Sequence, residues 1–294
     1  MVASLAERLG FAQGARVAIV HADDIGMCHA ANTGAFEALD AGPVTCGSAM
    51  VPCPWFAEAV ACAARRPGVD IGVHLTLNAE WDLYRWPPCA GPSQVPSLVD
   101  DDGCLYRTTA QVVANARPEE VELELRTQIE RARGAGLDVT HLDAHMGTVL
   151  MPPFTQVYAS LIRAYRLPAF LVAPRADAVP EAMRSAVEQV VAVVRELEED
   201  GFPVLDGFDQ DSLGFARGQG LAHNRRRLAG LGPGVNYLIC HPAALEPELE
   251  VLTPDAHCRD FERSFYGGQA GRAELAALGI ETVGMRALAA LIPD

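Results

Sequence analysis

The stretch RVAIVHADDIG, Arg16 to Gly26, decides the fold. Arg16 to Val20 is a short apolar run suited to a buried strand. HADDIG follows it, and then comes a helical stretch from Cys28 to Asp40 that Gly42-Pro43 stops. This strand–helix unit recurs along the chain. Strands are expected at Val44–Val51, Asp70–Leu77, Asp138–Asp143, Ala169–Ala173, Val204–Phe208, Val235–Cys240 and Ile280–Val283. Helices are expected at Trp55–Arg66, Pro118–Arg133, Phe154–Arg166, Pro180–Glu199, Leu221–Leu231 and Arg272–Leu278. Strands alternating with helices imply a parallel sheet with helices outside. About seven or eight such units predict a single (β/α) barrel domain over 1–294, TIM-like, with a doubly wound open sheet as the alternative. The longest irregular segment, 78–108, is rich in Pro, Asp and Gly and has the character of a lid or binding loop.

The composition supports one filled core. Of 294 residues, 50% are hydrophobic and 21% charged, which excludes a disordered chain. A formal charge of -15 argues against a nucleic-acid-binding surface, because phosphate recognition needs clustered Lys and Arg. Arg225-Arg226-Arg227 is the local exception, and in that acidic context it reads as a solvated helix face. No apolar run reaches the roughly 20 residues of a membrane span. No signal peptide is visible at the N-terminus, so a cytoplasmic location and no membrane partner are expected. The eight cysteines form no CxxC or short zinc spacing and are expected to be reduced, buried packing residues.

The chemistry shows in where the titratable residues fall. Asp23-Asp24, His74, His141-Leu142-Asp143-Ala144-His145 and His241 all lie at the C-terminal ends of expected strands. In a parallel barrel those ends form one face, and that face carries the active site. His141, Asp143 and His145 alternate, so on a strand they project to one side. Burying so many such groups without a metal or mutual pairing is costly. Two imidazoles and a carboxylate suit a divalent ion with open positions, and a second carboxylate beside it can take a proton from water. Asp23 and Asp24 supply such a pair. The expected chemistry is hydrolysis at a carbonyl or phosphoryl centre.

HADDIG, GVHLTLN, THLDAH and ICHPA, in this order, resemble the signature segments of the YdjC-like (ChbG/HpnK-type) carbohydrate deacetylases. The resemblance implies a (β/α)-barrel core, one divalent ion (Mg²⁺ or Zn²⁺), a homodimer, and removal of an N-acetyl group from a small carbohydrate substrate. It makes Asp24, His74 and His145 the metal ligands and Asp23 the general base. His241 becomes the acid for the leaving amine or a group binding the oxyanion, with His141 and Asp143 orienting the ligands and tuning the base. Arg175 is a candidate substrate contact or partner of Asp23. Ile25 stands where the family usually has Phe, Met146-Gly147-Thr148 replace a further histidine-containing run, and Ala243 replaces the Gly of HPG. Trp81, Tyr84 and Trp86 cluster in the long loop, where they serve either to stack on a sugar face or to pin the loop. His21, His29, His223 and His257 carry no motif and are assigned structural or surface roles. The alternatives are a phosphoesterase and a non-catalytic sugar-binding protein.

Overall fold

The computed structural model describes residues 3–172 and 181–293. Along the chain come α1 (Leu5–Arg8), β1 (Arg16–Ile25), α2 (His29–Ala41), β2 (Cys46–Ala49), α3 (Phe56–Ala64), β3 (Ile71–Leu75), α4 (Thr109–Asn115), α5 (Pro118–Gly134) and β4 (Val139–Ala144). Then follow α6 (Thr155–Tyr165), α7 (Glu181–Glu199), β5 (Gly207–Asp209), α8 (Gly220–Gly230), β6 (Gly234–Cys240), α9 (Pro247–Leu252), α10 (Ala256–Tyr266), α11 (Gln269–Ala277) and β7 (Ile280–Thr282). The strands form one sheet in the order β4-β3-β2-β1-β6-β5, all neighbours parallel, with β7 paired beside β1 off this path.

The ring is completed by single bridges rather than by ladders. Leu142 on β4 pairs with Ala169, and Val172 pairs with Leu205 just before β5. The N–H of Phe170 donates to Leu142 O at 2.9 Å and that of Leu205 to Leu171 O at 2.8 Å. The expected strand at 169–173 is thus two isolated bridges, with Ala173 outside the described residues, and the expected last strand branches off β1 instead of joining the ring. The sequence reading did not anticipate α1, α4, α9 or α10.

Alternation along β1 sorts two cores. Val17 and Ile19 join Cys46, Leu205, Val235 and Tyr237 in one cluster, which Leu5, Ala6, Met285 and Leu288 close off. Ala18, Val20 and Ala22 belong to the other, larger cluster, shared with the surrounding helices. The first cluster fills the lower barrel with apolar side chains. Above it the same inward-facing rows carry His21, Asp23, Ser48, His74, His141 and Asp143, all buried.

β1 is longer than the sequence pattern implied, because it continues through HADDI to Ile25. Ala22 pairs with Gly47 and Ile25 with Ala49, so β1 spends one residue more than β2 over this interval. The extra residue is accommodated where Asp24 adopts φ 63, a left-handed conformation that a short polar side chain tolerates. Strict alternation would send adjacent carboxylates to opposite faces. The bulge turns both toward the barrel mouth.

Gly72 on β3 makes room for the imidazole of His141. A Cβ there would lie 2.5 Å from His141 O and 2.7 Å from its Nε2. Gly72→Ala should therefore lower stability by about 1–3 kcal/mol through overpacking, read as a fall in urea midpoint at unchanged slope.

Candidate active site

At the mouth, Asp24, His74 and His145 approach one another with one ligand atom each, all within 4.8 Å of each other. His74 Nε2 lies 3.6 Å and His145 Nδ1 3.4 Å from Asp24 Oδ1. The remaining atom of each residue is held from behind. His74 Nδ1 donates to Asp143 Oδ1 at 2.8 Å, His145 Nε2 to Glu80 Oε2 at 3.1 Å, and Asp24 Oδ2 accepts from Arg259 Nη1 at 2.8 Å. Asp143 is itself braced by Ser48 Oγ at 2.9 Å and Tyr237 Oη at 3.3 Å. Turning His145 inward takes a kink in the backbone, with Met146 at φ 52 and Gly147 at φ 65.

Burial acts to raise the Asp24 carboxyl, but Arg259 with His145 and His241 outweighs it and holds the group well below the usual carboxylate range. Burial opposes charge on His145 too, yet Glu80 and Asp24 push its pKa up to about 10. His74 is raised against the same burial penalty by Asp143 and Asp23, and Asp143 is correspondingly lowered. Asp24 Oδ1 is nonetheless buried with no hydrogen-bond partner.

Asp23 stands beside this cluster. Its Oδ2 lies 3.8 Å from His74 Nε2 and 3.9 Å from His241 Nε2, and its Oδ1 contacts His21 Nδ1 at 2.6 Å. His241 is positioned from behind. Glu262 Oε2 accepts from the His241 N–H at 2.8 Å and from Ser212 Oγ at 2.6 Å, so the Ser212 oxygen is left to accept from His241 Nδ1 at 2.8 Å. Burial lowers the His241 pKa and pushes Glu262 up to about 7. Asp23, Asp143 and His241 line the polar side of a cavity of about 530 Å³, whose other walls include Leu171, Val193 and Ile239.

The structure thus gathers Asp23, Asp24, His74, His145 and His241, with Asp143 directly behind them. His141 sits deeper, against His21 at 2.9 Å. His21 is the first omission from the site: wholly buried in the barrel, as its structural alternative requires, it is bonded to Asp23. Its place in the inward row of β1, two before Asp23, was the available signal. Arg259 is the second omission. It reaches Asp24 from α10, 235 positions away, and nothing local in the sequence marks it. Glu80, Ser212 and Glu262 were likewise missed.

Arg227 is buried and pairs with Asp209 at 2.7 Å and Glu262 at 2.9 Å, so the arginine run is only partly a solvated face. Arg175 lies outside the described residues. In the long loop Trp86 is fully buried, its Nε1 donating to Asn78 O at 2.9 Å, while Tyr84 Oη donates to Met27 O at 2.7 Å. With Trp81 packed 6.0 Å from Tyr84 and 6.4 Å from Trp86, this cluster pins the loop. None of the three lines the cavity beside Asp23.

The pattern of the family described as YdjC-like protein matches residues 17–283. The chain belongs to this family. A relative from Thermus thermophilus named carbohydrate deacetylase is 37% identical over 87% of this chain and 88% of its own length. One of the same name from Geobacillus stearothermophilus is 28% identical over 92% and 97%. Among solved structures, a candidate cellobiose-phosphate cleavage protein of Enterococcus faecalis superposes with a TM-score of 0.76 at 24% identity, covering 93% of this chain and 99% of that one, which supports the α/β fold. The matched span runs from β1 into the segment after β7 and so includes every strand end that contributes to the site.

Both members of the Arg259–Asp24 pair are nearly inaccessible. Removing one partner of a buried pair strands the other charge and costs about 3–5 kcal/mol. Arg259→Ala should show such a loss in urea denaturation of chelator-treated protein, and adding Asp24→Asn to it should recover part.

Proposed function

We propose that the chain is a divalent-metal-dependent hydrolase that removes an N-acetyl group from an amino sugar or related acylated carbohydrate. The observation that carries this is Asp24 Oδ1, a buried carboxylate oxygen with no partner, set between His74 Nε2 and His145 Nδ1. A buried acceptor of that kind is costly unless a cation completes it. The donor set is chemically right: one carboxylate and two imidazoles, each oriented from behind by Arg259, Asp143 or Glu80, as metal ligands usually are. It suits Zn²⁺ better than Mg²⁺, which favours oxygen ligands. An ion held there would supply Lewis acidity toward an amide carbonyl and lower the pKa of water.

The rest of the chemistry falls to the chain. Asp23 presents Oδ2 toward the ligand cluster and accepts the proton of the attacking water. His241, reachable from the cavity and held at Nδ1 by Ser212, offers Nε2 for the departing amine nitrogen. The carbohydrate deacetylase relatives support the substrate class, and the largely apolar cavity wall suits an acyl methyl and the apolar face of a sugar ring. The homodimer implied by the resemblance belongs to the same reading, and a cytoplasmic location is proposed beside it. Light scattering of the purified protein tests the former and cell fractionation the latter. Among the described residues no helix is long and apolar enough to cross a membrane.

Acetate release from N-acetylglucosamine derivatives, assayed beside phosphate release from phosphomonoesters, tests the reaction class; phosphate release alone would replace it. Asp23→Asn should lose turnover by a factor of at least about 100 and keep its metal, whereas Asp24→Ala and His74→Ala should lose the metal, read by elemental analysis.

Metal binding should also release protons. His145, held at about 10 without metal, is charged at neutral pH and must lose its proton to become a ligand. Affinity for Zn²⁺ should rise with pH from 6 toward 10. Titration calorimetry in buffers of different ionisation enthalpy should show protons released on binding.

A further inference from the structure

Behind Asp23 lies a file of buried polar groups for which the proposed reaction has no evident use. Asp23 Oδ1 contacts His21 Nδ1 at 2.6 Å, His21 Nε2 contacts His141 Nε2 at 2.9 Å, and His141 Nδ1 contacts Thr140 Oγ1 at 2.9 Å. The Thr140 hydroxyl donates to Asp70 Oδ1, and Asp70 Oδ2 accepts from the Arg286 N–H at 2.7 Å. Asp70 sits beside the segment that plugs the barrel, so the file crosses the interior from mouth to base. Both imidazoles are 0% exposed. No solvent substitutes for a missing partner.

The protons in this file can be counted. Thr140 commits its proton to Asp70, so its oxygen accepts from His141 Nδ1–H. One more proton must lie between the two Nε2 atoms and another between His21 Nδ1 and Asp23. The three contacts need three protons, and two neutral imidazoles bring two. The file therefore holds one additional proton, shared between His21 and His141. Asp70 at one end, Asp23 at the other, and Asp143 Oδ2, 3.8 Å from His21 Nε2, balance its charge.

We propose that His21 and His141 form this proton-sharing pair and act as positioning residues for Asp23, tying its Oδ1 to Asp70 through the barrel so that only Oδ2 is left to react. The proposal rests on the reading of Asp23 as the proton acceptor. In that reaction a water O–H bond breaks and an Oδ2–H bond forms. The proton later leaves from the same oxygen toward the amine by way of His241, so the file ends each cycle with the count it began with. Gly72 belongs to the arrangement, since only a residue without a side chain admits the His141 ring.

Proton NMR of the wild-type protein gives a readout independent of activity. Exchange-protected ring N–H resonances, shifted far downfield, are expected from His21 and His141, and those of His21 Nδ1 and of the proton between the two Nε2 atoms should vanish together in His21→Leu. Their absence from the wild type overturns the proposal. In kinetics, His21→Leu should lower kcat by about 10–100-fold, the usual effect of losing such an orienting partner, with KM and metal content unchanged. His21→Asn, whose amide still donates to Asp23, should recover a substantial part. Wild-type kcat in His21→Leu, or equal loss in the Leu and Asn variants, overturns it as well. The two readings fail differently: activity in Asp23→Asn removes the base, whereas an inactive Asp23→Asn beside a fully active His21→Leu removes only the file.

Discussion

Ionisable groups that cannot reach water must neutralise one another, and the barrel interior is built around that requirement. Its lower half is closed by apolar side chains, so the imidazoles and carboxylates above are sealed from beneath and open only at the mouth. Burial penalises each charge separately. What makes the arrangement tolerable is reciprocity: Asp143 with His74, Asp24 with Arg259, and Glu262 with Arg227. The first two pairs leave the other side of His74 and of Asp24 aimed at the same small volume, and Glu262 keeps its second oxygen for Ser212 and the His241 N–H. Stability and reactivity are here two uses of the same hydrogen bonds.

The bulge in β1 contributes a second constraint. A regular strand offers one inward side chain every two residues, too sparse for two carboxylates to share one centre. With Asp24 at φ 63 the strand delivers adjacent ones, and they divide their tasks by their partners. Arg259 claims one oxygen of Asp24, and His21 claims one oxygen of Asp23. The remaining oxygen on each is the one that faces His74 on β3, and with it His145 just after β4 or His241 just after β6.

Much of this was legible from residue order. Apolar runs alternating with amphipathic stretches foretold the parallel sheet, and the two-residue spacing of His141 and Asp143 foretold their common face, because both follow from local periodicity, whereas His145 lies beyond β4 and beside a kink that periodicity does not encode. The segment Ala169–Ala173 read as a full strand, whereas its described part makes only single bridges at Ala169 and Val172, a difference in pairing that an apolar run does not carry. Arg259 and Glu262 were invisible for another reason: they approach from α10, and helix packing is not encoded near the strand ends. His21 was within reach. The same alternation that selects Asp23 selects it, but the two carboxylates drew the reading away from their neighbour. The aromatic cluster of the long loop left two roles open in the sequence, stacking on a sugar face or pinning the loop, and depth of burial shows Trp86 to be an anchor.

The plug beneath the barrel has an architectural corollary. Leu5 and Ala6 from one end of the chain and Met285 and Leu288 from the other pack into the same apolar layer, and Arg8 reaches Leu291 O at 3.4 Å. The two ends meet on the face opposite the reacting groups. A tether at either of these segments, to a surface or to another protein, therefore attaches on the face opposite the mouth.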